Sequence, residues 1–402
     1  MQEGAGETFK LERLNNIVAE FSTATKKVGR KFCFFFLLIF AALLKLVGLM
    51  EKRELPLVSI LVPIYKVERY IERCARSLFE QTYGNLEFVF VDDATPDRSV
   101  EILERVAAEY PQWEGRVKIL HHDHNKGLAV VRNTLVDNSR GEFLMFVDSD
   151  DWVETNAVEL LMKRQQETGA DIVTPRMMAL LDDGTEEEAI LGYELEDEEL
   201  FRAYMRHAVR WMMIGKLIRT SLYRENGVRF VEGINMNEDF MTFSILLYHA
   251  KRMTGVDSFL YHYDRTNVDS IVRNFETTWE YQWQSIKAHQ HVAEFFKDKE
   301  PWMHEAANQL VGRSLSYTLW LTFDHHNRKG YETVLDLMDA LPADQLPDMG
   351  WDNPKKRWLD HHYYLSRAVL PLRKLHGWMH QRMLNVELSP AAMGKLRVTN
   401  DE

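Results

Sequence analysis

The 402-residue chain has only two cysteines, Cys33 and Cys74, both in apolar surroundings. A disulfide framework is therefore excluded, and a reducing compartment is expected. No Asn-x-Ser/Thr sequon is present, which also argues against a secretory lumen. There is no basic excess: 49 Lys and Arg stand against 61 Asp and Glu, a formal charge of −12, so a dedicated nucleic-acid binder is excluded. No internal repeat or low-complexity tract is apparent. With 46% hydrophobic and 27% charged residues, wholesale disorder is excluded too. The length calls for one large domain with an appendage, or for two domains. Part of the negative charge is local. Asp182 to Glu199 holds ten carboxylates and no base, which reads as a solvated acidic loop.

Long apolar runs are scarce. The one stretch able to reach a bilayer is Phe32–Met50, FCFFFLLIFAALLKLVGLM, interrupted by Lys45. As a helix it would span about 28 Å, against a hydrocarbon core of about 30 Å. Lys26, Lys27, Arg30 and Lys31 precede it, Lys52 and Arg53 follow it, and no small-x-small cleavage site comes after. It is a candidate single anchor or membrane-dipping helix. The competing reading starts the folded chain at Met50, where MEKRELPLVSILVPIY runs directly into a strand. The expected location is the cytoplasm, with residues 32–50 as the route to the inner face of the cell membrane.

From Pro56 the pattern is βα alternation. Leu57–Val62, Phe88–Val91, Val117–Leu120 and Phe143–Val147 are short apolar, β-branched or aromatic runs, the mark of buried strands, and a further strand is expected near Ile172. Between them Val67–Phe79, Thr95–Ala108, Gly127–Val136 and a segment ending near Glu167 show helical spacing. Thr95-Pro96 reads as an N-cap followed by proline at the first helical position. Strands joined through helices imply an α/β fold with a mainly parallel sheet and helices on both faces. After Phe275 the periodicity is helical as far as Met383. The expected organisation is an N-terminal extension over 1–54, an α/β domain over 55–275 and a helical region over 276–402.

Ligands of open α/β sheets bind beyond the carboxyl ends of the strands. Those ends read Pro63-Ile64-Tyr65, Asp92-Asp93-Ala94-Thr95-Pro96-Asp97 and Asp148-Ser149-Asp150-Asp151. Carboxylates gathered without visible bases repel one another and call for a cation. Oxygen-only ligands suit Mg²⁺ or Mn²⁺, which keep positions open for phosphate oxygens. The pattern therefore implies a divalent-metal phosphate site beside a nucleotide slot. Asp97 alone is equally well read as a helix cap. His121-His122-Asp123-His124 resembles a metal cluster but lacks a second ligand group, so a structural zinc is not expected. Tyr261-His262-Tyr263 reads as a strand with alternating core and surface residues.

On VSILVPIYKVERYIERCARSLFEQTYGNLEFVFVDDATPD, NKGLAVVRN, FVDSDDWV and NEDF, in that order, the chain resembles the inverting family 2 glycosyltransferases with a GT-A fold, over about Leu57 to Ile271. The resemblance implies a nucleoside-diphosphate sugar donor, usually of UDP, a divalent metal, and a glycan or lipid-linked glycan acceptor. It implies that Pro63 and Tyr65 border the nucleobase and that Asp92, with Asp93 beside it, binds the uracil or ribose edge. Arg132 and Asn133 would help close the pocket. Asp148 would lie near ribose and metal, and Asp150 would coordinate the metal. Asp239 would be the base that takes the acceptor proton, its pKa raised by the neighbouring Glu238.

Two departures stand out. Relatives often have glycine and serine where Ala94-Thr95-Pro96 follow the paired acids here, and Pro63-Ile64-Tyr65 is followed by Lys66, a cation expected to face solvent. Lys216, in GKLIRTSLY, matches a lysine common in relatives. Processive synthases carry a Gln-x-x-Arg-Trp motif after the base. Here His207-Ala208-Val209-Arg210-Trp211 lacks the glutamine and precedes the base, so transfer of a single sugar is expected. Surface polysaccharide assembly suits such an enzyme. A nucleotidyltransferase would need a glycine-rich phosphate loop near the first strand, which is missing. An inactive glycan-binding scaffold would not need Asp92, Asp148, Asp150 and Asp239 together.

Overall fold

The computed structural model describes residues 55–341 except residue 211. The expected membrane segment 32–50 and the end of the helical region lie outside the described residues. A compact unit begins at Pro56.

Its first half is a parallel sheet. β1 (Val58–Ile64), β2 (Leu86–Asp92), β3 (Val117–His121) and β4 (Phe143–Phe146) lie in the order β3-β2-β1-β4, all parallel. β2 is buried along its whole length and β1 at all but Pro63, as continuous apolar runs require. The connecting helices are α1 (Ile71–Phe79), α2 (Ser99–Ala107) and α3 (Leu128–Asn138). α1 buries Ile71, Cys74, Ala75, Leu78 and Phe79 on one face, and Phe79 meets Phe88 of β2 edge-on at 5.0 Å.

α2 starts three residues later than Thr95-Pro96 suggests. Thr95 donates its hydroxyl to Asp97 at 2.7 Å and accepts the Lys66 N–H at 2.8 Å. Asp97 accepts from the backbone of Ser99 and of Glu68. These side chains tie the loop after β2 to the loop after β1, an alternative that Thr and Asp offer in competition with helix.

The second half adds β5 (Trp152–Val153), α4 (Ala157–Thr168), β6 (Ile172–Leu180), β7 (Glu186–Ala189), α5 (Asp197–Met205), β8 (Leu217–Arg219), α6 (Ser221–Arg224), α7 (Glu238–His249) and β9 (Met253–Asp264). β8 is inserted antiparallel between β4 and β6, β9 runs parallel to β6, and β5 and β7 pair antiparallel at β9 and β6. Only β5, β7 and β8 therefore oppose the other six strands, and the sheet is mainly parallel. The acidic run is not a bare loop. It contains β7 and the start of α5, and its charges are met from elsewhere: Glu188 by Arg176 at 2.8 Å, Glu187 by Arg265 at 3.1 Å, and Asp182 by Arg273.

After β9 the described chain is helical: α8 (Ile271–Asn274), α9 (Trp279–Phe296), α10 (Pro301–Asp324) and α11 (Arg328–Ala340). Ala288, Val292 and Phe296 of α9 join the main core, while Ile286, Val311, Leu315 and Tyr331 form a second, smaller one. Among the described residues no helix is long and apolar enough to cross a membrane.

Candidate active site

The register sets three strand ends level, with Ile64 paired to Asp92 and Asp92 to His121. Pro63 is still inside β1, paired with Val91. Tyr65, the next residue after β1, is 41% exposed, and the Lys66 amine lies 5.1 Å from its ring centre. Asp92 accepts the Thr95 N–H at 2.8 Å through one oxygen and meets His121 Nδ1 at 3.0 Å through the other. Asp93 is buried and fully engaged. It accepts the N–H groups of Lys126 and Gly127, each at 2.9 Å, and meets His122 Nδ1 at 2.7 Å. Asp93 thus holds the turn into α3, and the two histidines that look like a metal cluster in sequence each partner one aspartate instead. Between these aspartates and Thr95, Ala94 sits at φ 54°, a left-handed conformation that glycine adopts freely and alanine does not.

The chain leaving β4 carries the second acidic group. Asp148 has a partly exposed carboxylate whose Oδ1 lies 3.4 Å from Arg132 Nη2. Its backbone N–H donates to the Tyr261 hydroxyl at 3.2 Å. Asp150 accepts from the Asn267 amide at 2.8 Å. Burial, with the Asp148 charge next, pushes the Asp150 carboxyl up to about 6. Asp151 plays a different part. It is wholly buried, accepting the Tyr261 O–H at 2.5 Å and the Asp264 N–H at 2.8 Å, and burial drives its carboxyl well above the usual range. Arg73 reinforces this region, donating to the Asp150 carbonyl at 2.7 Å and to Asp264 at 2.6 Å while lying 3.9 Å over the Trp152 ring. Asp148 and Asp150 remain as two hard oxygen donors, a set that suits Mg²⁺ or Mn²⁺. Among the described residues no group of three or more His, Cys, Asp and Glu is placed to hold a metal ion.

The third group comes from the start of α7. The loop before it is tied to α9, with Asn235 N–H donating to Gln284 at 2.8 Å and the Asn237 amide to Ser285 at 2.9 Å. Asn235 also accepts the Ala129 N–H at 3.0 Å, and a Cβ on Gly127 (φ 87°) would fall 2.5 Å from that asparagine. Glu238 is buried, its carboxylate 3.2 Å from Arg132 Nε. Asp239 is partly exposed and accepts the N–H of Phe240 at 2.7 Å. Burial raises its carboxyl, Arg132 opposes the rise and Asp148 adds to it. The repulsion between the adjacent acids is felt at Glu238: burial first, then Arg132 acting the other way, then Asp239, leave it pushed up to about 8.

Arg132 is the hub. Its side chain is 3% exposed, it bridges Asp148 and Glu238, and its guanidinium carbon lies 5.5 Å from the Phe146 ring centre and 5.8 Å from that of Phe230. Its Nε and Nη1 make no hydrogen bond among the described residues, so Glu238 is met by charge alone. Asn133, its neighbour, exchanges two hydrogen bonds with the backbone of Phe230, at 2.8 and 3.0 Å, and so fixes that segment on α3.

These features belong to a recognisable lineage. Residues 59–227 match the sequence profile described as Glycosyl transferase family 2. This segment is a family 2 glycosyltransferase domain. Putative glycosyltransferase EpsH of Bacillus subtilis strain 168 is 31% identical over 229 residues, covering 56% of this chain and 64% of that protein. Glycosyltransferase GlyG of Streptococcus pneumoniae serotype 4 is 29% identical over 238 residues, covering 56% and 75%. The chondroitin synthase of Escherichia coli is 38% identical over 110 residues, 27% of this chain and 15% of that one. The chain thus spans less than two thirds of the length of EpsH. Residues 1–349 of S. aureus TarS, solved with UDP-GlcNAc, superpose with a TM-score of 0.58 at 20% identity over 76% of this chain and 87% of that one, which shows the GT-A fold. The matched segment ends before Glu238 and Asp239, which stand in the first turn of α7.

Tyr261, Asp264, Asn267 and Arg73 were not legible as a set in the sequence. Tyr261 and Asp264 follow a strand pattern, Arg73 lies on α1 and Asn267 in the turn after β9, and the pairing of β5 with β9 brings that strand and turn to the acidic loop.

Proposed function

We propose that the family 2 domain transfers a single sugar from a nucleoside-diphosphate sugar, best read as a UDP-sugar, to a hydroxyl of a glycan or lipid-linked glycan, with inversion at the anomeric carbon. The observation that carries this reading is Arg132. It lies within ion-pair distance of both Asp148 of the strand-end acidic group and Glu238 beside Asp239, so donor-side acids and a base-side acid meet at one guanidinium.

Tyr65, Asp92 and His121 offer a ring and polar groups at the level where a nucleobase would lie. Asp148 and Asp150 would hold Mg²⁺ or Mn²⁺, whose charge would offset that developing on the diphosphate. Arg132 adds a fixed positive charge in the same cleft without reorganising. Asp239, partly exposed and with its carboxyl raised towards neutrality, takes the proton from the acceptor hydroxyl as it attacks. Attack from the side opposite the diphosphate breaks the sugar–oxygen bond in one displacement and inverts the centre. The kinship with a chondroitin synthase supports a carbohydrate acceptor, and surface polysaccharide assembly at the cytoplasmic face of the membrane is the setting this proposal favours.

Thermal unfolding of the full chain with UDP, GDP or CMP, with and without Mn²⁺, tests the donor. A ligand at 100 times its Kd stabilises by about 2.7 kcal/mol. The expected result is Mn²⁺-dependent stabilisation by UDP that Asp150→Ala abolishes. A folded protein that responds to none of them would favour an inactive scaffold.

A further inference from the structure

The turn between residues 212 and 216 holds a lysine that the mechanism above leaves unused. Lys216 is 2% exposed, and its amine donates to the Met212 carbonyl at 2.6 Å. It lies 5.5 Å from the ring centre of Phe243, one helical turn after Asp239 on α7. Its donor goes to a carbonyl rather than a carboxylate. Burial pulls its ammonium down to about 7, with the Asp239 charge opposing.

This turn touches the site at three points. The Lys216 amine packs over Phe243 of α7, the helix whose first turn carries Asp239. The Gly215 N–H donates to the Phe146 carbonyl at 2.9 Å, two residues before Asp148. Gly215 has φ +73°, and a Cβ there would fall 2.7 Å from the Tyr261 ring, the same tyrosine that bonds the Asp148 N–H and Asp151. The turn therefore spans the distance between the base and the strand-end acids, and the bond from Lys216 to Met212 closes it.

We propose that Lys216 is a positioning residue which, by closing this turn and packing on Phe243, holds the start of α7 and so fixes Asp239 relative to Asp148. The inference rests on the glycosyl-transfer reading and deepens it. Misplacement of a reacting group by about 1 Å costs on the order of 100-fold in rate, so a staple that acts through the base is enough to matter.

Water serves as the acceptor in the test, with UDP release measured from UDP-glucose, UDP-galactose, UDP-GlcNAc and UDP-GalNAc. Lys216→Met keeps the volume and removes the buried donor. It should lower kcat by about 10- to 100-fold with the donor KM unchanged within about 2-fold. Because Lys216 acts through Asp239, the same substitution should cost less than about 2-fold in an Asp239→Asn background. Lys216→Gln, which retains an N–H donor, should recover part of kcat, and thermal unfolding checks that each variant is folded. An unchanged kcat in Lys216→Met, or equal losses in both backgrounds, overturns the inference alone. A folded wild type that turns over none of the four donors overturns the glycosyl-transfer reading, and this inference with it.

Discussion

Glu238 offers a direct measurement of the electrostatics at the site. It is 4% exposed, its carboxyl is pushed up to about 8 from an ordinary value of 4.5, and burial is the first cause. Between those two values the folded protein holds a proton that the unfolded chain has lost. The native state then binds more protons, so stability falls as pH rises, by about 1.4 kcal/mol per pH unit. The contribution is fully present below about 4.5 and is lost as pH climbs through about 8, roughly 5 kcal/mol in all. Glu238→Gln keeps the shape and removes the titration. Below pH 5 it should cost little, because the wild-type side chain is already neutral there. From pH 5.5 to 7.5 the variant should gain about 2.7 kcal/mol on the wild type, read by urea unfolding at each pH. Other groups drop out of this difference. Lys216, whose depressed value has the opposite sign, stabilises as pH rises from about 7 and affects both proteins alike. A difference that stays flat with pH, or that runs the other way, would refute the assignment of a protonated Glu238.

Two further outcomes follow from the same geometry. Arg132→Met removes the cation shared by Asp148 and Glu238 and should destabilise by about 3–5 kcal/mol at pH 8, as expected when one partner of a buried ion pair is deleted, with a smaller loss at pH 5.5 where Glu238 is neutral; urea unfolding at both pH values checks this. Ala94→Gly should relieve left-handed strain of about 1–2 kcal/mol, partly offset by about 0.5–1 kcal/mol of unfolded-chain entropy, so a small rise in Tm is expected by calorimetry.

The parallel half of the sheet was legible because its strands are continuous apolar runs, and its ends could be searched for chemistry by rule. Asp92, Asp148 and Asp150 stand at or just past those ends as the pattern implies. What the sequence could not show was division of labour among identical residue types. Asp93 and Asp151 look like their neighbours in one dimension, yet both are spent on backbone N–H groups, His122 and Tyr261. The choice depends on which long-range strand comes alongside, and β8, at three residues, is too short to have a period. The acidic run misread as a loop has the same cause: its compensating arginines lie far away in sequence. Glu238 was expected to act on Asp239, but burial dominates at both carboxyls, and burial depends on α9.

The short strand β8 also has a consequence for how the molecule opens. It joins β4 on one side through three residue pairs and β6 on the other through two, so few backbone bonds hold it in place. Gly215 and Lys216 lead directly into that strand. Hydrogen exchange should therefore find the first four strands among the slowest amides and the Leu217–Arg219 ladder opening earlier. A cleft braced by so short a ladder is one whose base can lose its register through local opening while the parallel half of the sheet stays folded.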